Sequence, residues 1–202
     1  EENGLIQRLD RYVWQEAAEQ MRKWKQEYEM MVPISVNVSR VDIYDPEMPE
    51  FLLQLVNDNG IDPYDYLLEI TESAYTDNSH QIVQVVKKLR EEGFRVEMDD
   101  FGTGYSSLGV LKNFSCNLIK IDRLFVQDIL TGAFDQNLVK YTIMLCHSIG
   151  MEVCIEGVEE EEAYIFLRDE CKADIIQGFY FGRPERKQVF LRRLKSLKRK
   201  TG

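Results

Sequence analysis

Apolar, strand-like runs alternate with helical patterns along the whole chain, and this alternation restricts the fold more than any other feature. Strands that alternate with helices pair in parallel through helical crossovers, so the pattern predicts an α/β fold with a parallel sheet. The predicted strands are residues 34–38, 66–71, 95–99, 118–121, 152–156 and 173–177. The predicted helices are 5–31, 49–57, 78–91, 134–148, 159–168 and 186–197, with further helical turns at 106–113.

Most of the predicted strands carry a polar side chain near the carboxyl end. The third strand ends in two adjacent carboxylates, Asp99 and Asp100, ahead of a glycine-punctuated loop at 102–104. Adjacent carboxylates repel each other, so we expect a cation to compensate them, although acid pairs before glycine also occur in solvated turns. The other strands contribute Asn37, Glu69, Lys120 with Asp122, Glu156 and Gln177. Because the carboxyl ends of parallel strands meet at one rim, we predict a single site there.

The oxygen-rich side chains of this rim predict hard divalent cations. Carboxylate and amide oxygens suit Mg²⁺ or Mn²⁺, whereas zinc usually recruits histidine or cysteine. The carboxylates are those of Glu69, Asp99, Asp100 and Glu156. They carry more charge than one divalent ion balances, so we predict two ions, an arrangement typical of phosphodiester cleavage. Lys120 is expected to orient the attacking water or to neutralise phosphate charge, and a structural ion pair with Asp99 or Glu69 is the alternative.

Charge and composition argue against several classes of function. The formal net charge is −10, and residues 183–202 carry +8 from nine basic residues and one acid, which leaves −18 on residues 1–182. A body this acidic is a poor partner for duplex nucleic acid. We interpret the basic end as the solvated face of the last helix rather than as an anion-binding surface. No apolar run is long enough to span a bilayer and no secretory leader is recognised, so we expect a cytoplasmic protein.

Cysteine and histidine usage argues against zinc, disulfide and Ser-His-Asp chemistry. The cysteines are Cys116, Cys146, Cys154 and Cys171. No two of them have the spacing of a zinc knuckle, and we predict that they are reduced and mostly buried. His80 and His147 are far apart in helical patterns, and we predict structural roles for both.

Taken together, these residues resemble the motifs of the EAL domain family of cyclic di-GMP phosphodiesterases. The matching segments are 35–39, 69–72, 99–108, 120–123, 156–159 and 177–179. They occur in the family's order and cover essentially the whole chain. The resemblance implies a TIM-like (β/α) barrel that hydrolyses cyclic di-GMP to linear pGpG with two Mg²⁺ or Mn²⁺ ions, in bacterial second-messenger signalling.

The resemblance also implies two sets of metal ligands. Asn37, Glu69 and Asp99 would hold one ion. Asp99 and Asp100 would hold the second, with Glu156 nearby as a ligand or as the general base.

The remaining site residues are also implied by the resemblance. Lys120 would contact the nucleophilic water, and Gln177 would face the substrate. Glu72, Asp122 and Glu159 would support the site from behind, Glu72 by anchoring the loop that follows the two aspartates.

Three kinds of partner follow from the resemblance. Cyclic di-GMP is the expected ligand, and flanking signalling domains are expected in the parent protein. The loop after Asp100, together with the helix after Lys120, resembles the family's dimerisation surface, so we expect a homodimer.

One departure from the family pattern concerns the start of the chain. The family is named for a Glu-Ala-Leu motif on a strand before the first long helix, followed by a substrate-contacting arginine, and residues 1–33 contain neither. We therefore expect residues 1–202 to form one N-terminally truncated domain of EAL type, an incomplete barrel with about six of the eight strands. Such a chain is expected to be weakly active or inactive by itself.

Two hypotheses about function follow. The first is a metal-dependent cyclic di-GMP phosphodiesterase, which the retained oxygen ligands and Lys120 favour. The second is a catalytically inactive module that binds cyclic di-GMP or a protein partner, which the absence of the Glu-Ala-Leu glutamate and the substrate arginine favours.

Overall fold

In the computed structural model, six parallel strands form one curled sheet, a half-barrel. The strands are β1 (Ile34–Asn37), β2 (Tyr66–Thr71), β3 (Val96–Phe101), β4 (Leu118–Ile121), β5 (Glu152–Ile155) and β6 (Ile175–Ile176). Strands consecutive in the chain are neighbours in the sheet, and every pair is parallel. The predicted parallel α/β sheet is therefore confirmed. The structure describes residues 4–77, 79–103, 111 and 116–201, with the side chains of 76, 77, 79 and 197–201 outside that description.

Helices follow most of the strands and pack on the outside of the sheet. They are α1 (Leu5–Tyr28), α2 (Arg40–Ile43), α3 (Met48–Asp58), α4 (Glu72–Asp77), α5 (Ser79–Glu91), α6 (Ala133–Ser148), α7 (Glu161–Asp169) and α8 (Lys187–Thr201), with 3₁₀ turns at Pro63–Asp65 and Arg123–Phe125. The short helices α2 and α4 were not predicted, because four to six residues are too few to show helical periodicity. The helical turns predicted at 106–113 lie outside the described residues, except for Leu111, which is helical.

Among the predicted boundaries that differ from the observed ones, two have a clear cause in the structure. The first helix ends at Tyr28 rather than near Met31, because Glu29 adopts the left-handed conformation and its backbone N–H caps the carbonyl of Trp24. The last strand contains only Ile175 and Ile176, since the backbone pairs regularly with β5 over these two residues alone.

The two faces of the sheet have different chemistry. Alternate residues that face the helices, such as Leu68, Met98 and Ile119, are fully buried and join one hydrophobic cluster with the helices. The intervening residues of the same strands face the concave side, and several of these, including Glu69 and Lys120, are polar. This alternation places the polar side chains on the inside of the half-barrel, with the core outside it.

The first and last helices pack against each other. Lys187 of α8 donates a hydrogen bond of 3.2 Å to Gln20 of α1, and the rings of Phe190 and Trp24 lie 5.9 Å apart. These contacts link the two ends of the half-barrel, whose edge strands in the described sheet are β1 and β6. None of the described helices is both long and apolar enough to cross a membrane.

Candidate active site

The pairing of β3 with β4 slips by one residue at the two adjacent carboxylates. In this stretch β3 contributes Asp99 and Asp100 where β4 contributes only Lys120, which makes a β-bulge. Asp100 has a φ of 56°, in a region that residues other than glycine seldom adopt. Successive side chains of a regular strand point to opposite faces, so the bulge re-aims Asp100 toward the rim. There burial raises the pKa of Asp100, and the charges of Asp99 and Asp122 raise it further.

Lys120 lies at the centre of the rim. Its Nζ atom is 2.8 Å from Glu156 Oε1 and 2.9 Å from Glu69 Oε1, and both contacts are close ion pairs. The same Nζ atom is 3.1 Å from Asp99 Oδ1, a close ion pair that lacks hydrogen-bond geometry. The lysine side chain is 8% exposed, so one ammonium group and three carboxylates share a largely dehydrated space.

The carboxylates of this space outnumber the one ammonium group beside them, and the pKa values of two of them are raised. Burial raises the pKa of Glu156, and the charges of Asp99 and Glu69 raise it further, against the opposing effect of Lys120. Burial also raises the pKa of Asp100, with Asp99 adding to the effect. Although burial alone would lower the pKa of Lys120, its contacts with Glu156 and Glu69 outweigh burial and raise that pKa well above its usual range.

Asn37 and Gln177 flank the carboxylates on the two outer strands. Asn37 ends β1 directly opposite Glu69 of β2, and its backbone carbonyl accepts a hydrogen bond of 2.8 Å from the indole of Trp14. Gln177 follows β6, and its backbone N–H donates to the carbonyl of Ile155, one residue before Glu156, at 2.8 Å. Both side chains are exposed, Asn37 at the end of the first strand of the sheet and Gln177 directly after the last one.

Two predicted supporting residues hold the loops of the rim. Glu72 is 2% exposed, and its Oε2 accepts a hydrogen bond of 2.9 Å from the backbone N–H of Gly102, just after the aspartate pair. Asp122 caps the 3₁₀ turn after β4 through Leu124 N–H, at 2.9 Å. Gly102 packs so closely on this turn that a Cβ atom there would lie 1.8 Å from the ring of Phe125.

The structure does not bring Glu159 against Glu156. Glu159 is exposed and lines a cavity of about 570 Å³ between the segment after β4 and the loop after β5. Within the described residues it makes no hydrogen bond or ion pair with Glu156. The described residues therefore show no contact through which Glu159 would support Glu156.

A buried carboxylate that was not singled out from the sequence lies directly below the rim. Glu97 is 4% exposed, stands opposite Glu69 in the β2–β3 pairing, and accepts a hydrogen bond of 3.0 Å from Ser35 Oγ. Burial raises its pKa to about 6. The signal that could have found it is strand periodicity, because residues two apart share a face, as Glu97 and Asp99 do.

The residues present fit a divalent cation by their chemistry. Asp99 Oδ1 is buried and makes no hydrogen bond within the described residues, so its charge is compensated there only by the ion pair with Lys120 at 3.1 Å. The donors are all oxygen, as hard cations prefer. As the side chains stand, however, no three His, Cys, Asp or Glu residues in the described part of the chain converge on a metal-sized point, and Lys120 Nζ lies among the carboxylates instead.

The profile of the EAL domain matches residues 1–184 of the chain. This chain belongs to the EAL domain family. Cyclic di-GMP phosphodiesterase PdeR of Escherichia coli is 32% identical over 184 residues, which are 91% of this chain and 28% of that protein. The chain spans only 22% to 28% of the length of the first curated relatives that it matches.

Solved EAL structures share the fold. The PaMucR phosphodiesterase in complex with c-di-GMP has a TM-score of 0.85 and 29% identity, over 94% of this chain and 76% of that one. BlrP1 of Klebsiella pneumoniae, solved with manganese and cyclic di-GMP, has a TM-score of 0.77 and 30% identity, over 86% of this chain and 44% of that one. BlrP1 has also been solved with calcium and cyclic di-GMP. The predicted TIM-like fold of EAL type is confirmed, and the half-barrel is the part of it that this chain contains.

Proposed function

We propose that the intact EAL domain containing residues 1–202 hydrolyses cyclic di-GMP to linear pGpG, with two Mg²⁺ or Mn²⁺ ions as cofactors. The observation that carries this proposal is the cluster of Glu69, Asp99 and Glu156 around Lys120, beside the bulge at Asp100. A structural role alone would not need three carboxylates around one ammonium group, since the unbalanced charge destabilises the fold. The relatives named as phosphodiesterases and the complexes with c-di-GMP and divalent metals support the same function.

The ligands of the two ions are proposed from their place on the rim. Asn37, Glu69 and Asp99 lie at or near the carboxyl ends of three adjacent strands, where they would hold one ion. Asp99 would also serve the second ion, together with Asp100, which the bulge turns toward the rim. Bound ions of this kind would supply Lewis acidity that activates water and stabilises charge on the phosphodiester.

Residues of the chain perform the other steps. Lys120 orients the attacking water through its ammonium group and offsets charge on the phosphate. Glu156, whose pKa is raised by burial, accepts the proton of that water as the new bond to phosphorus forms. The bond between phosphorus and the 3′ oxygen breaks, and the 3′ oxygen takes up a proton to give pGpG. Gln177, at the outer edge of the rim, contacts the nucleotide.

The test is product release by the parent protein that contains residues 1–202. With Mg²⁺ or Mn²⁺, we expect stoichiometric conversion of cyclic di-GMP to pGpG in chromatography, and we expect chelation by EDTA to stop it reversibly. Cyclic di-GMP binding without turnover at any metal concentration would instead establish the inactive binding module. Turnover that survives chelation would reject the metal-dependent mechanism.

A second part of the proposal is a homodimer. The outer face of α6 exposes large apolar side chains, among them Phe134 at 75% and Tyr141 at 64% exposure. They lie seven residues apart, so both fall on one stripe of the helix, with Leu138 between them. The other predicted part of this surface, the loop after Asp100, lies outside the described residues from 104 to 110. Sedimentation of the intact domain should give a dimer mass, and the variant Tyr141→Asp a monomer mass.

A further inference from the structure

Lys120 occupies the position in the cluster that a bound cation would need. Its ammonium group has three N–H donors, and it lies within 3.1 Å of three different carboxylates, those of Glu69, Asp99 and Glu156. All four side chains are at most 19% exposed, so water screens the contacts only weakly. The lysine thus neutralises part of the charge that a divalent ion would otherwise balance.

We propose that Lys120 is an internal counter-cation: it holds the metal-free rim together, and the incoming divalent ion displaces it from Asp99. This inference rests on the proposed function, because it concerns the same metal site. It adds that the lysine competes with the metal and so sets the affinity of the site. Lys120 is then a positioning residue in the metal-free state, before it meets water in the loaded state.

Asp99 is the carboxylate most readily released. Its contact with Lys120, at 3.1 Å, is the longest of the three, and the closer contacts with Glu156 and Glu69, at 2.8 Å and 2.9 Å, are the ones that raise the pKa of the lysine against the effect of burial. Displacement from Asp99 therefore breaks the weakest contact and leaves the lysine tethered at the rim. A shift of this kind frees the aspartate that both proposed ions share.

The first test is calorimetric titration of Mn²⁺ into the intact domain and its variants. Lys120→Met removes the competing charge at similar side-chain length, so we expect Mn²⁺ to bind about tenfold more tightly or better, on the scale expected for removing a charge within 4 Å. Without metal, this variant should melt at a lower temperature than the wild type, and Mn²⁺ should raise its Tm more. Lys120→Arg keeps the charge and should lie closer to the wild type in both measurements.

The matched control is Lys87→Met, which removes an exposed lysine 3.7 Å from Glu91, and its Mn²⁺ affinity should equal that of the wild type. Equal affinity in Lys120→Met and wild type would overturn the counter-cation role while leaving the metal site intact. No Mn²⁺ binding by the wild type would instead reject the metal site of the proposed function itself.

A second measurement needs no folded variant of Lys120→Met. In ¹⁵N-labelled wild-type domain, the buried and ion-paired ammonium group of Lys120 should give its own NMR signal, assigned by its loss in Lys120→Arg. Titration with diamagnetic Mg²⁺ should shift this signal with the midpoint found by calorimetry. A signal that stays in place while Mg²⁺ saturates the site would refute displacement.

Discussion

Charged side chains are paired differently at the two ends of the parallel sheet. At the amino end, charged groups form separate pairs: Arg95, just before β3, pairs with Glu152 of β5. His147 Nε2 lies 2.7 Å from Asp174 Oδ2, which also accepts a hydrogen bond of 2.8 Å from Val153 N–H. These contacts tie the starts of neighbouring strands together, and they are partly exposed, so their charges cost little to hold.

At the carboxyl end, three carboxylates surround one ammonium group, and all four side chains are largely buried. Glu69, Asp99 and Glu156 surround Lys120, and burial raises the pKa of Glu156 despite the ammonium group beside it. We therefore propose that the amino end serves stability, whereas the carboxyl end gives up stability for a cation site. The following predictions test this contrast, from the largest expected effect to the smallest.

The largest effect should come from the same substitution made at each end. In the intact domain, Asp99→Asn should reduce pGpG release by roughly a thousandfold, the scale of losing one group that stabilises transition-state charge. Asp174→Asn, at the amino end, should leave the rate within about threefold, because it touches only a structural pair. Comparable losses of pGpG release in both variants would mean that the two ends do not differ in function.

Replacing each of two glycines by alanine should separate the cost of steric overlap from the cost of backbone strain. Gly102→Ala should destabilise the fold by about 3 kcal/mol, because its φ of 100° strains alanine and its Cβ would strike Phe125 at the rim. Gly150→Ala, toward the amino end, has a φ of 78° but open space around it, and should cost about 1 kcal/mol. Denaturant unfolding measures both values, and an equal cost would mean that the rim loop is not closely packed.

Neutralising the buried carboxylate below the rim should stabilise the protein. The pKa of Glu97 is raised to about 6, so its folded state favours the proton: the stability that it contributes is present below the unfolded pKa near 4.5 and is lost as pH rises through 6. Glu97→Gln should therefore raise the free energy of unfolding by about 1–2 kcal/mol at pH 7.5 and by almost nothing at pH 4. A variant less stable than the wild type at pH 7.5 would show that Glu97 is well compensated.

The smallest effect should come from the helices outside the rim. Burial and a hydrogen bond to Asp42 raise the pKa of Asp10 to about 6, so its stabilising contribution also fades as pH rises from about 4 to 6. Asp10 is only half-buried, so Asp10→Asn should gain only about 0.5 kcal/mol at pH 7 after allowance for solvent screening. Thermal unfolding at pH 4 and pH 7 checks this, and an equal gain at both values would rule out the titration of Asp10 as the cause.

Much of the fold could be predicted from the sequence because long apolar runs and helical periodicity are local signals. The strand Leu118–Ile121 and the strand Tyr66–Thr71 were placed with their correct bounds on that basis. The short helix Arg40–Ile43 was not, because its capping box of Ser39 and Asp42 defines it more than any periodicity does. Local signals thus give the elements and miss those that capping decides.

The candidate site was only partly predictable for a different reason. Strand ends predict which side chains share a rim, and the structure places Glu69, Asp99 and Glu156 each in contact with Lys120. The bulge that re-aims Asp100 depends on pairing with the next strand, which no local pattern contains. The position of the ammonium group among the carboxylates is likewise a property of the assembled half-barrel. The roles of these residues in catalysis stay predictions.

The most direct test of the central claim is the number of Mn²⁺ ions that the rim holds. Calorimetry on the intact domain should give two ions per chain for the wild type and for Asp174→Asn, and fewer for Asp99→Asn. A wild-type domain that binds no Mn²⁺, or an Asp99→Asn variant that binds it as the wild type does, would contradict the claim that this acidic rim exists to hold metal.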